Sequence, residues 1–419
     1  MRDHWLILGV VAALGCRPDA PPAPTDATGS PTPTGDSATP TTLTTPVSLR
    51  VATFNAALAG RFDGELADRL ADGDDDHAAV TAAILQRVRP DVVLLNELDR
   101  DDDGLALARF VDDYLAVAQG PDLEPLDYPY RLAPPVNTGL SSGVDLDGDG
   151  VIVTEPCSEA YAADAFGFGL YEGQYGLVVL SRLPFDPAEV RTFQTMRWVD
   201  LPDAWLPEDY YSDEALAVLR LSSKTHADVP IEVGGQVVHL LVSHPTPPSF
   251  DGAEDRNGRR NHDEIAFWSH YLDGENASYL VDDQARAGGL QGEHFVIVGD
   301  LNADPMDGDS SGDAVDALVA HPRVADPRPT SLGAVEQATN QGGANDLHRG
   351  DPALDTADFS DSAVGNLRVD YALPSASMQT DGAGVFWPTE DDPDFAWVGR
   401  FPFPGSDHRL VWVDLTVEP

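Results

Sequence analysis

The 419-residue chain is poorest in positive charge, and above all in lysine: Lys224 is the only one. Lysine and arginine together number 25 against 71 aspartates and glutamates, for a formal net charge of −46. A surface of that sign is soluble and repels polyanions, so tight binding to a nucleic-acid duplex, which needs many cations against phosphates, is disfavoured. A polybasic dock on an anionic membrane is disfavoured for the same reason. Two cysteines, Cys16 and Cys157, cannot build a disulfide framework, and Cys157 is expected to be a structural thiol. The N-terminal apolar stretch, Trp5 to Leu14, is too short to span a bilayer.

That stretch reads instead as an address. Arg2 and His4 precede it, and it ends in Ala13-Leu14-Gly15-Cys16, which resembles the lipobox of bacterial lipoproteins. In that family the cysteine becomes the lipidated first residue of the mature chain. An ordinary cleaved secretion signal is the alternative, and either way the protein is expected to leave the cytoplasm. A lipid anchor would hold it on a membrane, facing the periplasm or the exterior. Residues 17–46 are rich in Pro, Thr, Ser, Ala and Asp, with too little apolar surface to order themselves. The expected layout is therefore a signal peptide over 1–16, a disordered tether over 17–46 and a folded domain over 47–419.

Within 47–419, strands and helices intermix. Leu49–Phe54, Asp91–Leu95, Tyr175–Ser181, Phe295–Asp300, Leu367–Leu373 and Arg409–Leu415 read as strands. Val229–Val233 and Gln236–Ser243 flank Gly234-Gly235 as a hairpin. Helical spacing predicts helices over Asp76–Arg89, Leu105–Val117, Asp263–Leu272 and Asp313–Ala320, while Ala165–Gly169 reads as a glycine-rich surface loop. Hairpins together with crossovers favour a mixed-sheet α/β domain over a purely parallel one.

Six strand ends carry polar residues that no packing argument requires. Thr53-Phe54-Asn55 ends with an amide, Asn96-Glu97 with an amide and an acid, and Ser243-His244 with a histidine. Gly299-Asp300-Leu301-Asn302 places an acid and an amide after four apolar residues, Arg368-Val369-Asp370-Tyr371 puts an acid inside a strand, and Ser406-Asp407-His408 precedes the last strand. Singly, each is an ordinary strand end or Asx turn. Together they point to a site.

In that order the set resembles the endonuclease/exonuclease/phosphatase superfamily, which includes pancreatic-type deoxyribonucleases, abasic-site endonucleases, neutral sphingomyelinases and inositol polyphosphate 5-phosphatases. The resemblance implies a four-layer α/β sandwich, two mixed β-sheets packed face to face with helices outside. It implies a metal-dependent hydrolase acting on phosphate esters, with Glu97, Asn55 and Asp407 near a Mg²⁺ or Mn²⁺. Asp300 would orient or deprotonate the attacking water and Asn302 would stabilise the transition state. His408, tuned by Asp370, would contact the phosphate, and His244 would be a second contact or the leaving-group acid. The substrate is expected to be a phosphodiester or phosphomonoester, and the protein a monomer. An extracellular endonuclease is one alternative; a non-catalytic surface binding module on the same fold is another.

Two further segments stand out. Arg256, Arg259 and Arg260 form the densest basic patch, readable as a phosphate clamp or as an ion-pair network holding a loop. Asp145, Asp147 and Asp149, with Gly150 at the sixth position, resemble the start of a calcium loop, though the twelfth position is Pro156 rather than Glu. They suggest a structural Ca²⁺ or a solvated acidic turn.

Overall fold

Alternate residues of a strand face opposite ways. In the computed structural model, which describes residues 45–419, those two faces build separate cores. The expected signal peptide, and all but the last two residues of the expected tether, lie outside the described residues.

In chain order the strands are β1 (Val47–Leu58), β2 (Val92–Leu98), β3 (Tyr130–Leu132), β4 (Leu177–Ser181), β5 (Arg191–Thr192), β6 (Ala227–Val233), β7 (Gln236–Val242), β8 (Phe295–Asp300), β9 (Ala357–Asp358), β10 (Asn366–Leu367), β11 (Asp370–Pro374), β12 (Gln379–Val385) and β13 (Val411–Val417). One sheet runs β12-β13-β1-β2-β4-β3 and the other β11-β8-β7-β6-β5. Both are mixed. β1 is parallel to β2 and antiparallel to β13, with Val47 opposite Val417, while β7 is parallel to β8 and antiparallel to β6.

Val51, Val92, Leu94, Val179, Val229, Leu240, Val296 and Val298 fill the space between the sheets. The intervening residues face outward under helices. Phe54, Val93 and Leu95 meet Ile84, Leu85 and Val88 of the Asp76–Val88 helix. Leu241, Phe295 and Ile297 meet Ile265, Trp268 and Leu272 of the Arg256–Leu272 helix. The result is the expected four-layer sandwich, and burying each such side chain contributes roughly 1.5–3 kcal/mol.

The first of these helices starts where Asp75 accepts the Ala78 N–H at 2.9 Å and stops at Arg89, which turns left-handed (φ 55°) before Pro90. The second begins seven residues earlier than the apolar pattern suggests, at Arg256 rather than Asp263, so the three arginines sit in its opening turns. The helix expected over Leu105–Val117 is α-helical only to Arg109 and then widens into a π-helix, Phe110–Leu115.

The strand expected over Leu367–Leu373 is broken. The amide of Arg368 bonds Asp304 Oδ2 at 2.8 Å and that of Val369 bonds Thr356 Oγ1 at 3.0 Å. Two amides thus leave the ladder, letting β10 pair with β9 and β11 join the second sheet. Cys157, for which the sequence suggests a lone thiol, is disulfide-bonded. No helix among the described residues is long and apolar enough to cross a membrane.

Candidate active site

At one end of the sandwich the inner apolar rows run out into polar residues. Leu49 and Val51 lead to Thr53 and Asn55; Val296 and Val298 lead to Asp300; Leu240 and Val242 lead to His244; Ala372, on an antiparallel neighbour, is preceded by Asp370. Period two carries each terminal side chain onto the face already turned inward. Pairing register then aligns the ends, Asn55 opposite Asn96 and Asp370 opposite Asp300.

Asp300 is the hub, 1% exposed. Its Oδ1 accepts the Asn302 N–H at 2.8 Å and its Oδ2 accepts Asn55 Nδ2 at 3.0 Å. Nε2 of His244 lies 3.4 Å from the same Oδ2, and Nε2 of His408 lies 3.7 Å from it. Burial pushes the Asp300 carboxyl up, but the flanking His408 and His244 with the Asn55 hydrogen bond outweigh it and hold the pKa well below the ordinary carboxylate range. Asp300 is therefore ionised at neutral pH.

His408 is oriented from its other nitrogen. Its Nδ1 is 2.9 Å from Asp370 Oδ2, which also accepts Thr356 Oγ1 at 2.9 Å. The ring meets Phe359 edge-on at 5.3 Å. Burial disfavours the charged ring, yet Asp370 and Asp300 on either side raise its pKa well above a free histidine's. Burial lifts Asp370 to about 6 in spite of His408. At neutral pH the arrangement is an imidazolium between two carboxylates.

Glu97 reaches the site through a break in alternation. Its φ of 60° is left-handed, a conformation costing about 1–3 kcal/mol for a non-glycine residue. Val93 and Leu95 face the outer layer, and Leu98, not Glu97, continues that row. The Glu97 side chain is 26% exposed, stands 3.9 Å from His244 Nε2 and makes no hydrogen bond among the described residues.

These donors suit a hard divalent cation: Glu97 is uncommitted, and Asp370 keeps one buried oxygen, Oδ1, without a partner. Among the acids and histidines of the site, ligand atoms of Asp300, Asp370 and His408 converge within 4.8 Å. Glu97 and Asn55 do meet the hub, through His244 and Asp300. The Asp407 carbonyl accepts the Asp358 N–H at 2.8 Å; burial lowers the pKa of Arg409 and of His77, and the Asp407 carboxylate opposes that in both while adding to the rise at His408.

Asn302 also has a left-handed backbone (φ 51°), and its Nδ2 donates to the Pro245 carbonyl at 3.1 Å. The basic patch divides three ways. Arg256 pairs with Glu254, Arg259 lies over the Trp205 ring at 5.0 Å, and Arg260 donates to the carbonyls of Leu221, Phe166 and Arg220. Arg260 is thus a brace between loops, which neither sequence reading anticipates. Asp145, Asp147 and Asp149 bring their carboxylates within 4.8 Å of one another.

Two residues escape the sequence reading. Glu264, fully buried, accepts the N–H groups of Ser223 and Thr246 at 2.6 Å each and so ties two loops to the helix. Its signal was positional: Asn261, Glu264, Trp268 and Leu272 fall on one helical stripe, which faces the core. Arg409, also buried, donates to the Ser406 and His408 carbonyls and fixes the loop bearing Asp407.

No curated protein matches the chain. Solved structures similar to it include an endonuclease/exonuclease/phosphatase from Beutenbergia cavernae DSM 12333, at 20% identity over 88% of this chain and 72% of that one, TM-score 0.46. A family protein from Bacteroides thetaiotaomicron is 14% identical over 90% and 100%, TM-score 0.46. D. rerio TDP2 complexed with a single strand DNA product is 13% identical over 88% and 99%, TM-score 0.41. The family model itself matches residues 52–408, spanning Asn55 through His408, and the chain belongs to the Endonuclease/Exonuclease/phosphatase family.

Proposed function

We propose that this protein is an exported, divalent-metal-dependent phosphoesterase that hydrolyses a phosphate ester by in-line attack of water. One observation carries the reading: a buried Asp300 held ionised between Asn55, His244 and His408. A buried carboxylate held ionised can accept a hydrogen bond from the attacking water and orient it, although its depressed pKa makes it a weak base. The His408 imidazolium, fixed through Nδ1 by Asp370, directs Nε2–H at a phosphoryl oxygen as negative charge builds there. His244, whose Nε2 lies between Glu97 and Asp300, would protonate the leaving oxygen. The second N–H of Asn302 completes the donors. Glu97, Asn55 and Asp407 would hold the Mg²⁺ or Mn²⁺, which when bound neutralises phosphoryl charge.

The deciding assay measures turnover of bis-p-nitrophenyl phosphate, p-nitrophenyl phosphate and plasmid DNA with Mg²⁺ or Mn²⁺ and with chelator. Metal-dependent release from any of them supports the reading, and the pattern separates diesterase, monoesterase and nuclease. Silence on all three, with Mn²⁺ binding demonstrated by calorimetry and weakened in Glu97→Gln, would favour the binding module.

The same proposal includes a structural Ca²⁺ at Asp145, Asp147 and Asp149 and a lipid on Cys16. In a chain of two cysteines a lipid thioether on Cys16 would leave Cys157 no partner for the disulfide described above, so the two exclude each other, and the mass of the mature N-terminal peptide decides between them.

A further inference from the structure

A second cleft opens at the end of the second sheet away from Asp300, where β6 turns into β7 and β8 begins. It encloses about 820 Å³ between the outer face of β6 and β7, the last turn of the Arg256–Leu272 helix and residues 286–294. Alternation puts Val229, Ile231, Val238 and Leu240 in the core between the sheets, so Asp228, Glu232 and His239 turn the other way and line the cleft. None of them belongs to the site built around Asp300.

The cleft holds a carboxylate–histidine pair. Nδ1 of His239 lies 2.7 Å from Asp228 Oδ1, and the buried Asp228 accepts the Tyr271 hydroxyl on Oδ2, also at 2.7 Å. Arg191 fixes Tyr271 in turn, 3.2 Å from its hydroxyl, and is itself held by Asp282 at 2.9 Å. A carboxylate only accepts, so Nδ1 carries the proton and Nε2 presents a lone pair. Nε2 has no hydrogen-bond partner among the described residues. A glycine keeps the space beside it open, because a Cβ on Gly292 would fall 2.7 Å from Nε2.

The rest of the lining sets the sign of the ligand. Asp186, Glu189, Glu232 and Glu293 border the cleft, and none of them pairs with a cation among the described residues. Arg191 and Arg286, the cations that border it, are both committed to Asp282. Pro230 and the exposed Val237 add apolar surface suited to methylenes. A metal ion is less well served, since His239 belongs to neither group of acids and histidines whose ligand atoms converge within 4.8 Å.

We infer that this cleft binds an aliphatic polyamine, one charged N–H group donating to His239 Nε2 while the other ammonium groups rest against Glu232 and the neighbouring carboxylates. A cationic donor answers both the free lone pair and the unpaired acids. The inference is independent of the phosphoesterase reading, and its readout is binding rather than turnover.

The test is calorimetry of the full chain with spermidine at about 0.15 M salt, where diffuse attraction to an acidic surface is screened. Gly292→Ala places a methyl group against Nε2 and leaves the carboxylate–histidine pair in place. Glu232→Gln removes one unpaired charge at an exposed position. The expected result is one spermidine per chain, with affinity about tenfold or more weaker in Gly292→Ala and about two- to fivefold weaker in Glu232→Gln. Spermidine should also raise the melting temperature of the wild type more than that of Gly292→Ala. A wild type that binds no spermidine overturns the inference, as do several molecules bound alike by wild type and Gly292→Ala. If Gly292→Ala does not fold, Glu232→Gln decides, and wild-type affinity in that variant overturns the site.

Discussion

Asn55 and Asp300 lie 245 residues apart in the chain, yet the amide of one donates to the carboxylate of the other at 3.0 Å. The bond crosses from β1 in one sheet to β8 in the other, closing the seam between the two halves of the sandwich. It also adds to the larger effects of His408 and His244 that lower the Asp300 pKa.

Asp300→Asn is expected to lower kcat by about a hundredfold or more while KM changes little, since the lost group acts on water rather than on substrate. The folded pKa of Asp300 is depressed, so its stabilising contribution is present above about 3.9 and lost as pH falls through the lower folded value. Melting temperatures across acid pH should therefore fall less steeply in the variant. Near-normal turnover on the true substrate would sink the role of Asp300.

Asp370→Asn removes the acid that, after burial, acts most strongly on His408. The His408 pKa then drops, and the alkaline limb of the kcat/KM profile moves to lower pH. Stability follows with the same sign. The raised histidine stabilises the fold fully below about 6.5 and less as pH rises through its folded pKa, so the variant loses this contribution earlier. A pH–rate profile and pH-dependent melting check both; an unmoved alkaline limb would show that His408 does not govern it.

Glu264→Ala leaves two buried N–H groups, those of Ser223 and Thr246, without acceptors. Each hydrogen bond to a charged group contributes about 1.5–3 kcal/mol, so urea unfolding should register a loss of about 3 kcal/mol or more. Activity should suffer even where the variant is folded, because His244 adjoins one of those loops. A stability change below about 0.5 kcal/mol would mean that the loops find other acceptors.

Removing calcium with a selective chelator should lower the melting temperature, and Ca²⁺ but not Mg²⁺ should restore it, if Asp145, Asp147 and Asp149 hold a structural ion. Calorimetry on the Asp147→Asn variant locates the effect. An unchanged melting temperature would leave the segment an acidic turn, as its backbone hydrogen bonds to Asp145 allow.

Much of the layering was legible because Val296, Val298 and Ile297 alternate without interruption, and the same period extended to Asn55, His244 and Asp300. What escaped were features made by side chains from distant segments. The break before Asp370 depends on Thr356 and Asp304, and no local pattern in Arg368-Val369 announces it. Strand β12, Gln379–Val385, carries two glycines and an aspartate and is a strand because β13 pairs with it. The helix Leu332–Gln341, capped by Ser331, has too few large apolar residues to advertise itself. The left-handed turn at Glu97 was equally invisible, since glutamate has no preference for it.

The antiparallel edge between β1 and β13 has a consequence for the order of synthesis. A chain made from its N-terminus exposes β1 ahead of β2, but its other flank, β13, follows every other strand described. Asp407 and His408 arrive just ahead of it. Until residues 407–417 are free of the ribosome, Asp300 lacks its imidazolium partner and β1 one of its two neighbours. On the phosphoesterase reading, a chain that has not yet placed its last strand is expected to be inactive, and activity should appear as that strand closes.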